Sequence, residues 1–315
     1  MADVPQRELG GLSVSAVGLG CNNFGRRVDL DGTRAVVDAA LDAGVNFLDT
    51  ADIYGGQGGS ETLLGEVLRG RRERIVLATK FGMDMGDNGP SVRPRGSRAY
   101  IREAIDGSLQ RLQTDVIDLY QYHRPDGETP VEETLGALDE LVKEGKVRYI
   151  GRSNFSAAEL EEAEAAAREN GFSRFVSLQN EYSLLKREIE GDVVPKCEEL
   201  GVGVLPFFPL ASGLLTGKYR RGEDAPKCTR LHGRPEVADG ATFDMLEAAE
   251  EFAQARDLTM LDVAIAGLAA QPAVASVIAG ATKPEQVRAN AAALRWEPSA
   301  ADLEKLDSIF PTPRR

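Results

Sequence analysis

A carboxylate, a phenol, an ammonium and an imidazole stand at or just past the ends of short apolar runs. Asp49 closes Asn46-Phe-Leu-Asp49 and Tyr54 follows it. Lys80 closes Ile75-Val-Leu-Ala-Thr-Lys80, and His123 closes Val116-Ile-Asp-Leu-Tyr-Gln-Tyr-His123. Together these groups suit proton donation to an atom that gains negative charge. A tyrosine with its ordinary pKa of about 10 is a poor acid at neutral pH. A neighbouring cation corrects this by favouring the phenolate. Lys80 is expected to supply that cation, and Asp49 to hold Lys80. Asp52 and Asp118 are acidic neighbours without an assigned role, and Asp118 has the wrong strand parity to face the same way as His123. His232, the other of the 2 histidines, falls in an unperiodic stretch and reads as a surface residue.

Four such groups, distant along the chain, meet only if strand ends converge. Strands are expected at Val17–Asn22, Asn46–Thr50, Ile75–Phe81, Val116–His123, Tyr149–Asn154, Val176–Glu181, Val202–Phe207 and Val274–Gly280. Amphipathic segments separate them. Thr129-Pro130-Val131-Glu132 suits a capping box with proline in the first turn. Val131, Leu135, Leu138 and Val142 then share one face, and Gly145 ends the helix. Ser156 and Glu159 form a second box, and that helix stops near Asn170-Gly171. Strands alternating with helices imply a parallel sheet with right-handed crossovers. The fold class is therefore α/β, a (β/α)8 TIM barrel whose strand C-termini share one rim. The stretch Arg7-Glu-Leu-Gly-Gly-Leu-Ser-Val reads as a hairpin plugging the bottom. Gly82–Ser97 and Ser212–Gly240 lack a period and belong to the rim as long loops. The second carries Lys218, Arg220, Arg221, Lys227, Arg230 and Arg234.

The 315 residues, 42% of them hydrophobic, bury a large core and are expected to make one domain over 1–315. A net charge of −13 argues against a general nucleic-acid role. The cysteines Cys21, Cys197 and Cys228 are widely spaced, which fits a reducing compartment rather than a disulfide framework. The stretch Met-Ala-Asp-Val-Pro-Gln lacks the apolar core of a signal peptide, and no apolar run approaches a membrane span. A cytoplasmic protein without a membrane partner is expected. The sequon at Asn154 would then be fortuitous.

Three stretches carry a family resemblance. Gly44-Val-Asn-Phe-Leu-Asp49-Thr-Ala-Asp-Ile-Tyr54-Gly55, Leu138–Ser156, and Gly280-Ala-Thr-Lys-Pro-Glu-Gln-Val-Arg-Ala-Asn290 resemble, in order, the three signatures of the aldo-keto reductases. The resemblance implies hydride transfer from NADPH to an aldehyde or ketone, with Asp49, Tyr54, Lys80 and His123 as the catalytic set. It also implies a cofactor site. Ser153, Asn154 and Gln179 would hold the nicotinamide carboxamide, and Phe207 would stack on the ring. Ser212, Gly213, Leu214 and Lys218 would follow the pyrophosphate, with Arg230 folded over it. Asn22, Asp49, Pro209, Leu210 and Gly280 would line the same site, and Gln286 and Asn290 would contact adenine. Thr282 and Lys283, before Pro284 at a helix N-terminus, suit a ribose 2′-phosphate and hence NADPH over NADH. Phe207 and Phe208 stand where a larger polar-edged aromatic and a small serine are frequent, so the pocket is expected to be more apolar there. Arg152 is expected to point away from the nicotinamide.

No metal site is expected. No Gly-x-Gly-x-x-Gly follows a strand. Gly213-Leu-Leu-Thr-Gly217-Lys218 is one residue short of a phosphate loop, with Tyr219 in place of the magnesium-holding hydroxyl. The partner is a small carbonyl compound, whose pocket walls are expected from Asn23, Phe24, the Gly82–Ser97 loop, the residues after His123 and the Ser212–Gly240 loop, and the oligomeric state is left open. Two other functions compete. One is a cofactor-binding regulatory relative that has lost catalysis. The other is a barrel aldolase using Lys80 as a Schiff-base nucleophile, which Asp49 opposes by keeping the amine protonated.

Overall fold

Val, Ile, Leu and Phe crowd the strand runs, and such strands are stable only when both faces are covered. The computed structural model describes residues 4–227, 229–233 and 238–312. Cys228, Arg234 and the first three residues of the N-terminal stretch lie outside the described residues. A hairpin comes first, β1 (Gln6–Leu9) paired antiparallel with β2 (Leu12–Ser15). Eight parallel strands follow in one sheet: β3 (Val17–Gly20), β4 (Phe47–Asp49), β5 (Val76–Phe81), β6 (Ile117–Tyr122), β7 (Val147–Ser153), β8 (Phe175–Gln179), β9 (Gly203–Val204) and β10 (Val277–Gly280). The strands β3 to β9 neighbour one another in chain order, and β10 lies beside β3. The ring closes between β9 and β10. Val204 accepts from Ala275 N at 2.9 Å and donates to Ala273 at 2.7 Å, and Ile278 N reaches the Pro206 carbonyl at 3.0 Å. This is a (β/α)8 barrel, and every expected strand is present at its expected place.

Helices run between the strands. Those that matter here are α1 (Leu30–Asp42), α2 (Tyr54–Gln57), α3 (Gly59–Val67), α4 (Arg98–Leu112), α5 (Val131–Lys143), α6 (Ala157–Asn170), α7 (Val193–Leu200), α8 (Gly240–Gln254), α9 (Met260–Ala269), α10 (Pro284–Ala293) and α11 (Ala300–Ile309). The Ser156–Glu159 box caps α6 from both sides, and left-handed Gly171 ends it. The box expected at α5 does not form. Pro130 is the N-cap residue and no side chain caps the helix. Thr129 is diverted because Asp126 accepts both its backbone N–H, at 2.9 Å, and its hydroxyl, at 2.8 Å. A carboxylate three residues upstream outcompetes the helix end for the threonine.

The hairpin seals the N-terminal end of the barrel. Leu9, Leu12 and Val14 pack with Phe47, Ala78, Leu119 and Ile278. Gly10 sits at φ 68°, and a Cβ there would collide with the Val176 side chain, so the turn fits against the barrel mouth only as glycine. Arg7 adds two charge-assisted bonds to the carbonyls of Ala269 and Val274. The opposite end is left open for the rim loops. In the second of these, Arg220 pairs with Glu250, and Arg221 with Asp244 and Glu247 of α8. These ion pairs fasten the loop to the helix and take two of its cations out of play. Cys21 and Cys197 are buried and unpaired. No helix among the described residues is long and apolar enough to cross a membrane.

Candidate active site

Strand alternation decides which side chains reach the barrel axis. In β6, Asp118, Tyr120 and Tyr122 face outward. Asp118 binds Arg72 and Arg148, and the two tyrosines stack on Phe81 at 4.8 and 5.0 Å. Gln121 and His123 therefore face inward. The register sets Lys80 beside Gln121 and Ser153 beside Gln179. At the floor, Lys80 Nζ donates to Asp49 Oδ2 and to the Thr50 carbonyl, each at 2.7 Å. Asp49 Oδ1 accepts from Gln121 Nε2 at 3.1 Å and from Gln179 Nε2 at 3.0 Å. Lys80 is fully buried and Asp49 is 3% exposed. An ion pair this deep is tolerated only because each charge is paired and its remaining hydrogen bonds are made. Burial acts to lower the Lys80 pKa, but Asp49 and Tyr54 outweigh it and the pKa is raised. Lys80 is thus a fixed ammonium.

Tyr54 opens α2, a single turn with Gly55 and Gly56 both at positive φ. This turn follows β4 directly and swings the phenol back over Lys80, whose Nζ lies 5.2 Å from the ring centroid. His123 stands edge-on to the same ring, with centroids 5.8 Å apart at 87°. Asn154 donates to the His123 carbonyl at 3.0 Å and to Ser153 Oγ at 3.0 Å, which ties the ends of β6 and β7 together. Burial pushes the Tyr54 pKa up. Lys80 pulls it down without winning, so the net shift is upward, not downward as the sequence suggested. Desolvation of the phenolate exceeds its attraction to an ammonium already engaged by Asp49. The phenol therefore rests in its protonated form. Burial, with help from Lys80 and Arg124, lowers the His123 pKa to about 3. The imidazole is neutral at ordinary pH, one ring nitrogen carrying a proton and the other not.

A cleft of about 1030 Å³ opens above this group. Asn22, Asp49, Tyr54, His123, Ser153, Asn154, Gln179, Phe207, Pro209, Leu210, Ser212, Gly213, Lys218, Arg230, Gly280, Thr282, Lys283, Gln286 and Asn290 all line it. Lys80 lies beneath the floor. Two sequence-based assignments fail. Leu214 does not line the cleft; it packs against the small cluster of Tyr219, Ala225 and Leu231. Phe24, expected in the pocket wall beside Asn23, is fully buried in the main core. In both cases an apolar side chain has turned from a wet cleft to dry neighbours. Arg152 does point away, its guanidinium lying against Phe155 and Phe175 behind the barrel wall. Sequence reasoning missed Gln121, which its parity with His123 would have given; Arg124 falls among the residues after His123 that were expected in the pocket wall. His232 is exposed, with its Nδ1 3.0 Å from the Ala225 carbonyl.

The cleft suits a large anionic ligand. Lys218, Arg230 and Lys283 line it, and none has a carboxylate partner among the described residues. Asn22 Oδ1 is buried there without a hydrogen-bond partner among the described residues. Phe208, Ala211 and Ser212 hold φ of 53°, 45° and 58°, backbone that side-chain-bearing residues rarely adopt, and such strain gathers at ligand-binding loops. At α10, Pro284 occupies the first turn and no side chain caps the helix, leaving its amides to an anion. Gln286 accepts from Thr282 N at 2.7 Å, which braces that turn.

Comparison with known proteins agrees with this geometry. The model of the Aldo/keto reductase family matches residues 16–310. YrpG of Bacillus subtilis (strain 168), described as an uncharacterized oxidoreductase, is 38% identical over 312 residues, covering 96% of this chain and 94% of that protein. YqkF of the same organism, described likewise, is 38% identical over 287 residues, covering 90% and 89%. The solved aldo-keto reductase AKR11C1 from Bacillus halodurans (holo form) is similar with a TM-score of 0.81 and 34% identity, covering 98% of this chain and 97% of its own.

Proposed function

This chain belongs to the aldo/keto reductase family, and from that premise we propose that it reduces aldehydes or ketones to alcohols with NADPH, using Tyr54 as proton donor. The observation that carries the reading is the buried Asp49–Lys80 pair directly below Tyr54, with neutral His123 at its edge. When bound, the reduced nicotinamide supplies the hydride that the carbonyl carbon accepts. Tyr54 gives its proton to the oxygen as that atom gains charge, and Lys80 stabilises the phenolate left behind. Lys80 cannot move away, because Asp49 and the Thr50 carbonyl hold it. His123 donates a hydrogen bond to the same oxygen and fixes its position. Ser153, Asn154 and Gln179 would hold the carboxamide, with Phe207 against the ring. Lys218 and Arg230 would meet the pyrophosphate, and Thr282, Lys283 and the α10 N-terminus the 2′-phosphate. Gln179 has a second duty here, since its amide also braces Asp49.

A Schiff-base role for Lys80 is opposed by its raised pKa, which withholds the lone pair such chemistry needs. The intact buried pair favours a working enzyme over a silent relative. Buried, unpaired Cys21 and Cys197 support a reducing, cytoplasmic setting.

The test is a panel of aldehydes and ketones assayed with NADPH and NADH in parallel. Turnover with NADPH well above background is expected, with NADH weaker. Lys283→Ala should weaken NADPH by about tenfold, the loss of one charge-assisted phosphate contact, and NADH far less. Equal efficiency with both cofactors, or an indifferent Lys283→Ala, contradicts the NADPH preference.

A further inference from the structure

Arg124 follows His123 on the loop after β6 and lines the same cleft as His123, Tyr54 and Met83. The cations assigned above to cofactor phosphates follow β9 and β10. In the sheet order β10-β3-β4-β5-β6-β7-β8-β9, closed into a ring, β6 lies across the barrel from them. Arg124 therefore stands apart from the phosphate-binding side, next to the proposed reacting carbonyl.

The chain is rich in carboxylates: Asp and Glu number 50 against 37 Lys and Arg, and exposed arginines such as Arg148, Arg174 and Arg221 have found them. Arg124 has no hydrogen bond or ion pair among the described residues. The nearest acid in sequence, Asp126, is fully engaged. It accepts from Gly96 N at 2.5 Å, Glu128 N at 3.0 Å, Thr129 N at 2.9 Å and Thr129 Oγ1 at 2.8 Å. Four donors fill its lone pairs, so it leaves the guanidinium free. Among the described residues, two acids line the cleft. Asp49 is held by Lys80, and Glu285 lies on α10, across the barrel.

We infer that Arg124 is a specificity-determining residue: it receives an anionic group, carboxylate or phosphate, carried by the carbonyl substrate a few bonds from the C=O. This rests on the reductase reading above. The planar fork of arginine matches either anion with two parallel hydrogen bonds. Holding such a group there orients the carbonyl between Tyr54 and His123, which positions it before any charge develops.

Matched pairs of probes test the proposal at saturating NADPH: 4-carboxybenzaldehyde against its methyl ester, and glyceraldehyde 3-phosphate against glyceraldehyde. For at least one pair, kcat/KM is expected to favour the charged member by about tenfold or more, chiefly through KM. The pair showing it separates carboxylate from phosphate. Arg124→Gln should cut that ratio by about tenfold, and Arg124→Lys, keeping charge but not the fork, should restore part of it. Turnover of all four probes with no preference for charge overturns the inference while leaving the reductase reading intact. So does a preference that Arg124→Gln leaves unaltered. Reduction of no carbonyl compound by the wild-type protein overturns both. The wild-type comparison stands alone even if a variant misfolds.

Discussion

His123 and Tyr54 share a wall, yet burial drives their pKa values apart, and both shifts favour the uncharged form. For His123 the consequence is measurable as stability. Folded, it titrates near about 3; unfolded, near its ordinary 6.5. Between those values the unfolded chain binds a proton that the folded chain does not. The stabilising contribution is complete above pH 6.5 and is lost as pH falls toward 3. Relative to His123→Gln, the wild-type unfolding free energy should drop below pH 6.5 by at most about 1.4 kcal/mol per pH unit, read from denaturant titrations across a pH series. A difference between the two proteins that stays flat with pH means that His123 is not desolvated as described. The meeting of Asp49, Tyr54, Lys80 and His123 was legible from the sequence, because types so specific rarely coincide at strand ends. Desolvation was not legible, since it depends on what covers the phenol, and so Lys80 was credited with more influence on Tyr54 than it has.

The elements carrying these groups are held by close approach. Gly65 on α3 faces α4 so tightly that a Cβ would overlap the Arg111 carbonyl and come within 2.9 Å of the Leu112 carbonyl carbon. The same interface buries Glu61, whose carboxylate accepts from Thr79 Oγ1 at 2.5 Å and Arg111 Nε at 2.7 Å. Helix α3 directly continues the Tyr54 turn, so prising it from α4 moves the phenol. Gly65→Ala should cost about 1–3 kcal/mol of stability by overpacking, measured by guanidinium unfolding, and should lower turnover with it. Wild-type stability in that variant contradicts the packing described. All eight strands and the α6 box were legible, because periodicity and local capping chemistry determine them. The failed box at Thr129 shows the limit: its competitor, Asp126, acts through a turn that no period announces. Leu214 and Phe24 were misplaced for a similar reason, since composition does not say which way a loop side chain turns.

At the scale of the molecule, a chain of net charge −13 presents an electropositive cleft. The acids lie largely elsewhere, for example on α8, where they neutralise Arg220 and Arg221. A cleft walled by low-dielectric protein concentrates the field of its unpaired cations. NADPH binding should therefore weaken with added salt despite the unfavourable overall charge. Between about 20 and 200 mM NaCl, over which the Debye length falls from roughly 20 Å to below 10 Å, Kd by isothermal titration should rise several-fold. A Kd that falls with salt would mean that the net charge, not the cleft, governs approach. Total charge argued against nucleic acid as a partner class, but it hid this local reversal, which exists only once the loops after β6, β9 and β10 meet.

The central claim is that Tyr54 protonates a carbonyl oxygen above Lys80, and steady-state NADPH oxidation by Tyr54→Phe beside wild type tests it most directly. The account predicts a loss in kcat of about 10²–10⁴, the usual worth of a positioned proton donor, with the NADPH dissociation constant nearly unchanged. Turnover at the wild-type rate in Tyr54→Phe contradicts it.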